Sequence, residues 1–234
     1  MAQSYFIWNG TDSRTMGITT RGHAPVIRPE ERVQHVEIPG RSGDLTETEG
    51  ENIYNSYIQT VSFSVAGAEN VPAVYAWLRG AGYVTFSGEP TKKQKARIIG
   101  AITLNRISRN MDRWAGEVQF YCEPLKEESE EQDIDVTTSG TTITNQGDVE
   151  SRPLITITGS GNVTVRIGDK SISITGCETG WQIDSDTEWI LDDDGVPQMG
   201  VYTGEFPTIP VGTSAVQFTG SITKLTVRGR WRYL

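Results

Sequence analysis

The sequence predicts an all-β protein, mainly β with one helix, divided into two domains. Short apolar runs that alternate with polar residues recur along most of the 234 residues, as in half-buried strands. Glycine is frequent, at 25 residues, and often separates these runs as it does in turns. The length is enough for one large domain or two small ones, either with a core, and the hydrophobic content of 36% is typical of a globular rather than a disordered chain.

The first predicted domain, residues 1–125, is a β-barrel or sandwich with one flanking helix. Asn9-Gly10 is a strong turn signal after its first strand. The run Tyr57–Val65 places Val61, Phe63 and Val65 on one face, which indicates a half-buried strand. The strands predicted here are Tyr5–Trp8, Tyr57–Val65, Tyr83–Ser87, Lys95–Ile107 and Trp114–Cys122, the last two forming a long pair.

The helix is predicted over Asn70–Arg79. Asn70 is a suitable N-cap, Pro72 is tolerated in the first turn, and Gly80 and Gly82 end the helix. The apolar positions follow a helical period and are expected to pack on the sheet: Val71, Val74, Tyr75 and Leu78.

Residues 28–55 form a long polar segment that has no helical period, and we call it the arm. Pro39-Gly40 and Gly43-Asp44 indicate a turn within it, and Val36 and Ile38 alternate with charged neighbours as in a strand. Because the segment has few apolar side chains to bury, it is either a flexible loop or an arm that lies on a partner. We favour an arm on a neighbouring copy of the chain, with a subunit interface at Ile38, Pro39, Gly40, Arg41, Ser42, Gly43, Asp44 and Leu45.

The net charge of −9 is unevenly distributed. Residues 1–125 contain 13 basic and 13 acidic side chains, whereas residues 126–135 contain one lysine and six acidic side chains. This acidic run predicts an exposed linker between the domains, and an acidic helix face is the weaker alternative because an apolar period is absent. A neutral or acidic chain does not bind the phosphate groups of nucleic acid strongly, although it could surround DNA.

The second predicted domain, residues 136–234, contains strands separated by glycine-rich turns at a spacing typical of β-sandwiches. The turns are placed at Gly159–Gly161, Gly168-Asp169 and Gly176. The predicted strands are Thr141–Thr144, Leu154–Thr158, Asn162–Ile167, Ser171–Thr175, Trp181–Asp184, Glu188–Leu191, Ser214–Thr219 and Ile222–Tyr233.

An arginine stripe lies on one face of the last predicted strand, at Arg228, Arg230 and Arg232. These guanidinium groups could pair with carboxylates of another subunit, or form a solvated face that discourages edge-to-edge pairing, which is slightly favoured. Three aromatic residues, Trp181, Trp189 and Tyr202, could form a sugar-binding platform, although core packing is the commoner role in a sandwich.

No catalytic, cofactor or metal motif is present in the sequence. A nucleophile elbow, a P-loop and a zinc-protease helix are all absent, and His23 and His35 lack ligand partners at helical spacing. The acidic stretches 184–188 and 192–195 are better explained as solvated turns than as calcium loops or a carboxylate pair of a hydrolase. Cys122 and Cys177 are expected to be buried free thiols rather than a disulfide or a metal pair. No membrane-spanning run and no signal peptide are evident.

Several motifs, in their order and spacing, resemble the distal tail protein (Dit) family of long-tailed, non-contractile bacteriophages. In the first domain they are Phe6–Ile18, Ile38–Leu45, Ala73–Gly80, Phe86–Pro90 and Val118–Pro124. In the second domain they are Asn145–Gly147, Ser151–Gly161, Ile183–Asp186 and Phe206–Gly212. Each motif alone is weak, but together they extend over nearly the whole chain.

The resemblance implies a structural protein of the virion rather than an enzyme, without a cofactor. Such proteins form a hexameric ring, a baseplate hub at the distal end of the tail, around a channel through which DNA passes unbound. The first domain would be a tail-tube-like fold whose arm belts the adjacent subunit, and the second a galectin-like β-sandwich. The implied partners are the tail tube protein, the tape measure and tail-tip or receptor-binding proteins.

The same resemblance implies synthesis in the cytoplasm of a bacterial host, without membrane insertion. The alternative function is a carbohydrate-binding module on a phage tail that attaches to the host surface. This chain lacks the long insertion of enlarged relatives and the sugar-binding pattern of galectins, which argues against the alternative.

Overall fold

The computed structural model describes residues 4–48, 50 and 52–234. The chain divides into two compact units, of which the first extends to Ser129 and the second covers Glu130–Tyr233. In these described residues antiparallel strands predominate and a single α-helix is present. The predicted all-β class with one helix is therefore confirmed.

The first unit contains one large antiparallel sheet, a small hairpin and the helix. The strand order in the large sheet is β2-β1-β7-β8-β10-β6-β3, and β9 pairs with another part of β10. The strands are β1 Phe6–Trp8, β2 Thr11–Asp12, β3 Ile18–Thr20, β4 Val33–Val36, β5 Leu45–Thr48, β6 Tyr57–Ala66, β7 Ala81–Phe86, β8 Lys92–Ile99, β9 Asn105–Ser108 and β10 Met111–Glu128.

The long strand β10 positions the core of the first unit. Its alternate residues Val118, Phe120 and Cys122 are fully buried, because β10 pairs with β6 on one edge and β8 on the other. The Phe120 ring lies 5.5 Å from the rings of both Phe6 and Trp8, centroid to centroid. This aromatic cluster is the centre against which the remaining strands pack.

The helix α1 covers Val71–Trp77, which is shorter than predicted, and Asn70 does not cap it. The Asn70 side chain instead donates a hydrogen bond to the carbonyl oxygen of Ala66 (2.8 Å). Val74 and Leu78 are buried as expected, whereas Tyr75 is 40% exposed. Trp77, which the helical period did not single out, stacks on the ring of Phe6 at 5.6 Å.

The predicted strand Lys95–Ile107 is two strands in the structure. It stops at Ile99, because Gly100 adopts a left-handed φ of 71°, and pairing with β10 resumes only in β9. Both β8 and β9 pair with β10, so the predicted long pair is present but is interrupted at residues 100–104.

The acidic run 126–135 also differs from the predicted linker. Strand β10 continues to Glu128, and Asp133–Val136 forms a further strand, β11, so only residues 129–132 lie between them. The Lys126 side chain is buried and its ammonium group lies 2.7 Å from Glu89. Asp133 and Asp135 pair with basic side chains of the second unit. Specific partners thus neutralise part of a run that appears self-repelling in isolation.

The second unit is a strand-only unit in the part of the chain that the structure describes. Its strands after β11 are β12 Thr141–Asn145, β13 Leu154–Ile167, β14 Lys170–Cys177, β15 Gln182–Asp184, β16 Trp189–Leu191, β17 Tyr202–Gly204, β18 Gly212–Arg228 and β19 Arg232–Tyr233. The main order is β11-β18-β13-β14-β17, with β12 on β18, β15 on β13 and β16 on β15.

Two long strands, β13 and β18, organise this unit into a sandwich. The first half of β13 pairs with β15 and the second half with β14, while β18 pairs with β12 and then with β11. Buried residues of both halves, such as Ile155 and Ile167, belong to one hydrophobic cluster. The two halves of the paired strands therefore face each other across a common core.

The bend between the halves lies where the sequence predicted turns. Residues 159–161 do not end a strand, because β13 runs through them and its register with β18 shifts on either side. A Cβ atom on Gly159 would lie 2.4 Å from the carbonyl oxygen of Ser221, and one on Gly220 would lie 2.4 Å from that of Asn162. These glycines permit the close approach of two bulged strands, which explains why they resemble turn residues.

Both cysteines are free and buried, as predicted. Burial raises the pKa of Cys122 to about 12 and that of Cys177 to about 11. At neutral pH both are therefore protonated thiols that behave as small apolar side chains.

We expect Gly220→Ala to destabilise the second unit by about 2–4 kcal/mol, because alanine would meet backbone atoms and would adopt an unfavourable φ of 96°. Gly168→Ala is the matched control, since Gly168 also has a positive φ (62°) but open space around it. It should cost only about 1 kcal/mol. Urea unfolding followed by circular dichroism tests this. Equal midpoints for the two variants would contradict the close-approach explanation.

Candidate functional site: an exposed hairpin arm

The base of the arm is closed by hydrogen bonds between its two ends. The Arg32 amide donates to the Ile53 carbonyl oxygen and the Asn55 amide to that of Glu30, both at 2.8 Å. The Arg32 guanidinium also donates to the Asn55 side-chain oxygen at 3.1 Å. Both ends of the arm consequently leave the first unit at one place.

Beyond its base the arm is an antiparallel hairpin of β4 and β5, in which Val33 pairs with Thr48 and Val36 with Leu45. The Arg41 amide donates to the Ile38 carbonyl oxygen at 3.1 Å, which closes a turn with Pro39 and Gly40 at its centre. Gly40 has a φ of 83°, as a type II turn requires after proline. The turn at Pro39-Gly40 is therefore present, as the sequence predicted. Strand β4 ends at Val36, so Ile38 lies in the tip of the hairpin and not in a strand. Glu49 and Glu51 lie outside the described residues.

The arm has almost no interior of its own. Among the described residues from Glu30 to Asn55 none is buried, and Val36 and Ile38 are 37% and 40% exposed. None of its side chains belongs to the core cluster of the first unit. An isolated two-stranded hairpin is marginally stable in water, so this conformation benefits from a surface on which to lie.

The arginine stripe pairs with carboxylates of its own chain. Arg228 binds Asp133 through two contacts of 2.8 and 3.0 Å, and Arg230 binds Asp184 through contacts of 2.6 and 3.2 Å. Arg232 contacts Asp186 at 2.5 Å. The structure thus supplies intramolecular partners for groups that were expected either to meet another subunit or to be solvated.

Partners within the chain also account for carboxylates that were considered as a calcium or hydrolase site. Burial raises the pKa of Asp184, but the hydrogen bonds and charge of Arg230, together with the backbone amides of Asp186 and Thr187, outweigh this effect and hold the pKa below its usual value. Asp192 accepts hydrogen bonds from the backbone amides of Asp194 and Val196 and from the Gln198 side chain. No group of three metal-binding side chains occurs in the chain as described. Both acidic stretches are stabilised turns.

The proposed aromatic platform is divided in the structure. Trp181 is only 9% exposed and belongs to the core of the second unit, whereas Trp189 is 52% exposed. Tyr202 is half-buried and packs edge-on against Phe206, with ring centroids 5.1 Å apart. Core packing is therefore the role of Trp181, and the three rings do not form one exposed surface.

Among the helices described, none has both the length and the apolar character needed to cross a bilayer.

The whole fold is similar to that of a known phage protein. The crystal structure of SPP1 Dit (gp 19.1) matches with a TM-score of 0.79 and 18% sequence identity, over 100% of each chain. That protein is described as a paradigm of the hub adsorption apparatus in phages that infect Gram-positive bacteria. No protein-family model and no curated protein sequence matches this chain. The structural comparison shows that both units together have the Dit fold, as the sequence motifs suggested.

The Asp184–Arg230 pair should make stability depend on pH. Because the pKa of Asp184 is lowered on folding, its contribution is complete above the ordinary carboxyl pKa and is lost as the pH falls through the folded-state value. We expect Asp184→Asn to cost about 2 kcal/mol at pH 7 and less below about pH 4.

The control is Asp133→Asn, whose carboxylate is 42% exposed in its pair with Arg228. It should cost less than about 1 kcal/mol. Urea unfolding of both variants at pH 7 and pH 3 measures these differences. A difference for Asp184→Asn that does not shrink on acidification would contradict the electrostatic explanation.

Proposed function

We propose that this chain is a structural Dit protein that forms a hexameric ring, the hub between the tail tube and the tail tip of a siphophage. The single observation that supports it most is the likeness to SPP1 Dit over the full length of both chains. A likeness confined to one unit would fit any β-sandwich module, because common folds serve many functions. A likeness that extends over both units is more specific.

The arm supports the ring. A hairpin none of whose described residues is buried in its own chain is suited to contact the neighbouring subunit through Ile38–Leu45, and the repeat of one heterologous contact closes into a ring. The neutral charge of residues 1–125 suits a channel through which DNA passes without being held. In this proposal the first unit builds the ring, and the second unit is a galectin-like β-sandwich.

The partners then follow from position at the distal end of the virion tail. We infer that the ring contacts the tail tube protein and the tape measure on one side and tail-tip or receptor-binding proteins on the other. The protein acts as a scaffold rather than an enzyme, made in the cytoplasm of the bacterial host and assembled into the tail. Direct carbohydrate binding has weaker support, because burial of Trp181 removes one ring of the platform on which it depends.

Deletion of the arm should separate assembly from folding. Replacing residues 33–48 with two glycines leaves the base contacts of Arg32 and Asn55 in place and removes no buried residue. The wild-type chain of 25.8 kDa should form a species of about 155 kDa, and the deletion variant should remain a monomer. Light scattering at several concentrations measures both masses.

The melting temperature of the deletion variant should stay within about 4 °C of the wild-type value, because the core is unchanged. A deletion variant that still forms rings would exclude the arm as the ring contact. A wild-type chain that is monomeric at every concentration, and also in the presence of tail tube protein, would contradict the ring.

A further inference from the structure

The outer face of the large sheet carries a patch that nothing in its own unit covers. In β8, Gln94 and Ala96 are buried, so the intervening Lys95 and the following Arg97 point outward. Arg97 pairs in register with Tyr121 of β10, which in turn pairs with Ile58 of β6. Tyr83, which lies opposite Lys95 on β7, lines an open depression together with Lys95, Arg97 and Tyr121. We call this depression and the adjacent Ile58 the basic face: Ile58, Tyr83, Lys95, Arg97 and Tyr121.

The basic face exposes three large apolar side chains to solvent. Ile58 is 51% exposed, Tyr121 47% and Tyr83 37%. Ile58 and Tyr121 lie opposite each other on paired strands, and Tyr83 lies on β7, on the other side of β8. Contiguous exposed apolar groups of this kind mark surfaces that bind something.

The charge of this face is positive. Three alternate residues of β8 point outward, Lys93, Lys95 and Arg97, and β8 contains no acidic residue. The Lys93 ammonium lies 5.3 Å from the centroid of the Tyr83 ring. Two carboxylates also face this region, since Glu123 lines the depression and Glu127 lies opposite Lys93. Within the described residues neither Lys95 nor Arg97 forms an ion pair. Two cations are thus available for a carboxylate from outside.

The arm has the complementary chemistry. Residues 30–48 include five acidic and two basic side chains, for a net charge of −3. Val36 and Leu45 form a cross-strand pair, and the pair of Gln34 with Glu47 lies two residues along the same face. One face of the hairpin therefore presents two apolar side chains beside a carboxylate.

The dimensions also agree. The four-residue strands of the hairpin are about 13 Å long, and the four strands β7, β8, β10 and β6 extend over about 14 Å. Each chain carries one arm and one basic face, which are different surfaces. A contact between them is therefore heterologous, the kind that produces a ring when its rotation closes.

We propose that the arm of one copy binds the basic face of the next copy, with Val36 and Leu45 on the Tyr83, Tyr121 and Ile58 side chains and Glu47 beside Lys95 and Arg97. This inference rests on the proposed function and assigns the surface that receives the arm.

Charge reversal tests the assignment. Arg97→Glu and Glu47→Lys should each raise the concentration needed for ring assembly at least tenfold, because each places like charges in contact. The double variant should recover most of this loss. Arg166→Glu, an exposed reversal in the second unit, is the control and should assemble as the wild type does. Normal assembly of both single variants would overturn the proposal and leave the ring itself intact.

A second measurement does not require stable rings. Val36→Cys and Tyr121→Cys chains, mixed under mild oxidation, should form a disulfide-linked dimer, whereas each chain alone should form at least fivefold less. The native thiols are buried and protonated, so they compete little. A mixture of Val36→Cys with Thr179→Cys, an exposed position in the second unit, is the control. A yield for the 36–121 pair no higher than this control would overturn the proposal whatever the mass of the wild type.

Discussion

Each unit depends on long strands that must be hydrogen-bonded along both edges. In the first unit β10 satisfies this requirement by pairing with β6, β8 and β9. In the second, β13 and β18 pair with each other along almost their whole length and with a different strand in each half. Because every buried backbone polar group needs a partner, these strands determine where the shorter ones lie. The arm is the exception, since its two strands have only each other.

The sequence is most informative where one face of a strand is buried and the signal is local. Alternation in Tyr57–Val65 predicted the inward residues of β6 correctly, and Pro39-Gly40 predicted the tip of the arm. The glycine pattern at Gly159–Gly161 was misleading, because glycine is common both in turns and in β-bulges. Which of the two forms depends on how closely β18 approaches. A helical period likewise could not show that Trp77, and not Tyr75, would meet an aromatic partner.

Charged residues were the hardest to interpret, because their partners are distant in sequence. Asp133 was assigned to a solvated linker, and its guanidinium partner, Arg228, is 95 positions away. Asp184 was considered as an acid or a calcium ligand, yet Arg230 neutralises it. For the arm, the composition indicated that a partner is needed, whereas the basic face emerges only when strand register brings residues from four strands together.

The closed base of the arm has a consequence for how such a chain can vary. Glu31 bridges to Tyr54, so the two ends of the segment stay together whatever lies between them. The packing of the sheet therefore does not depend on the length or composition of the segment between these ends. Loop-closure entropy grows only slowly with added residues, so lengthening is tolerated thermodynamically. The length of the arm can thus change without any compensating substitution in the hydrophobic core.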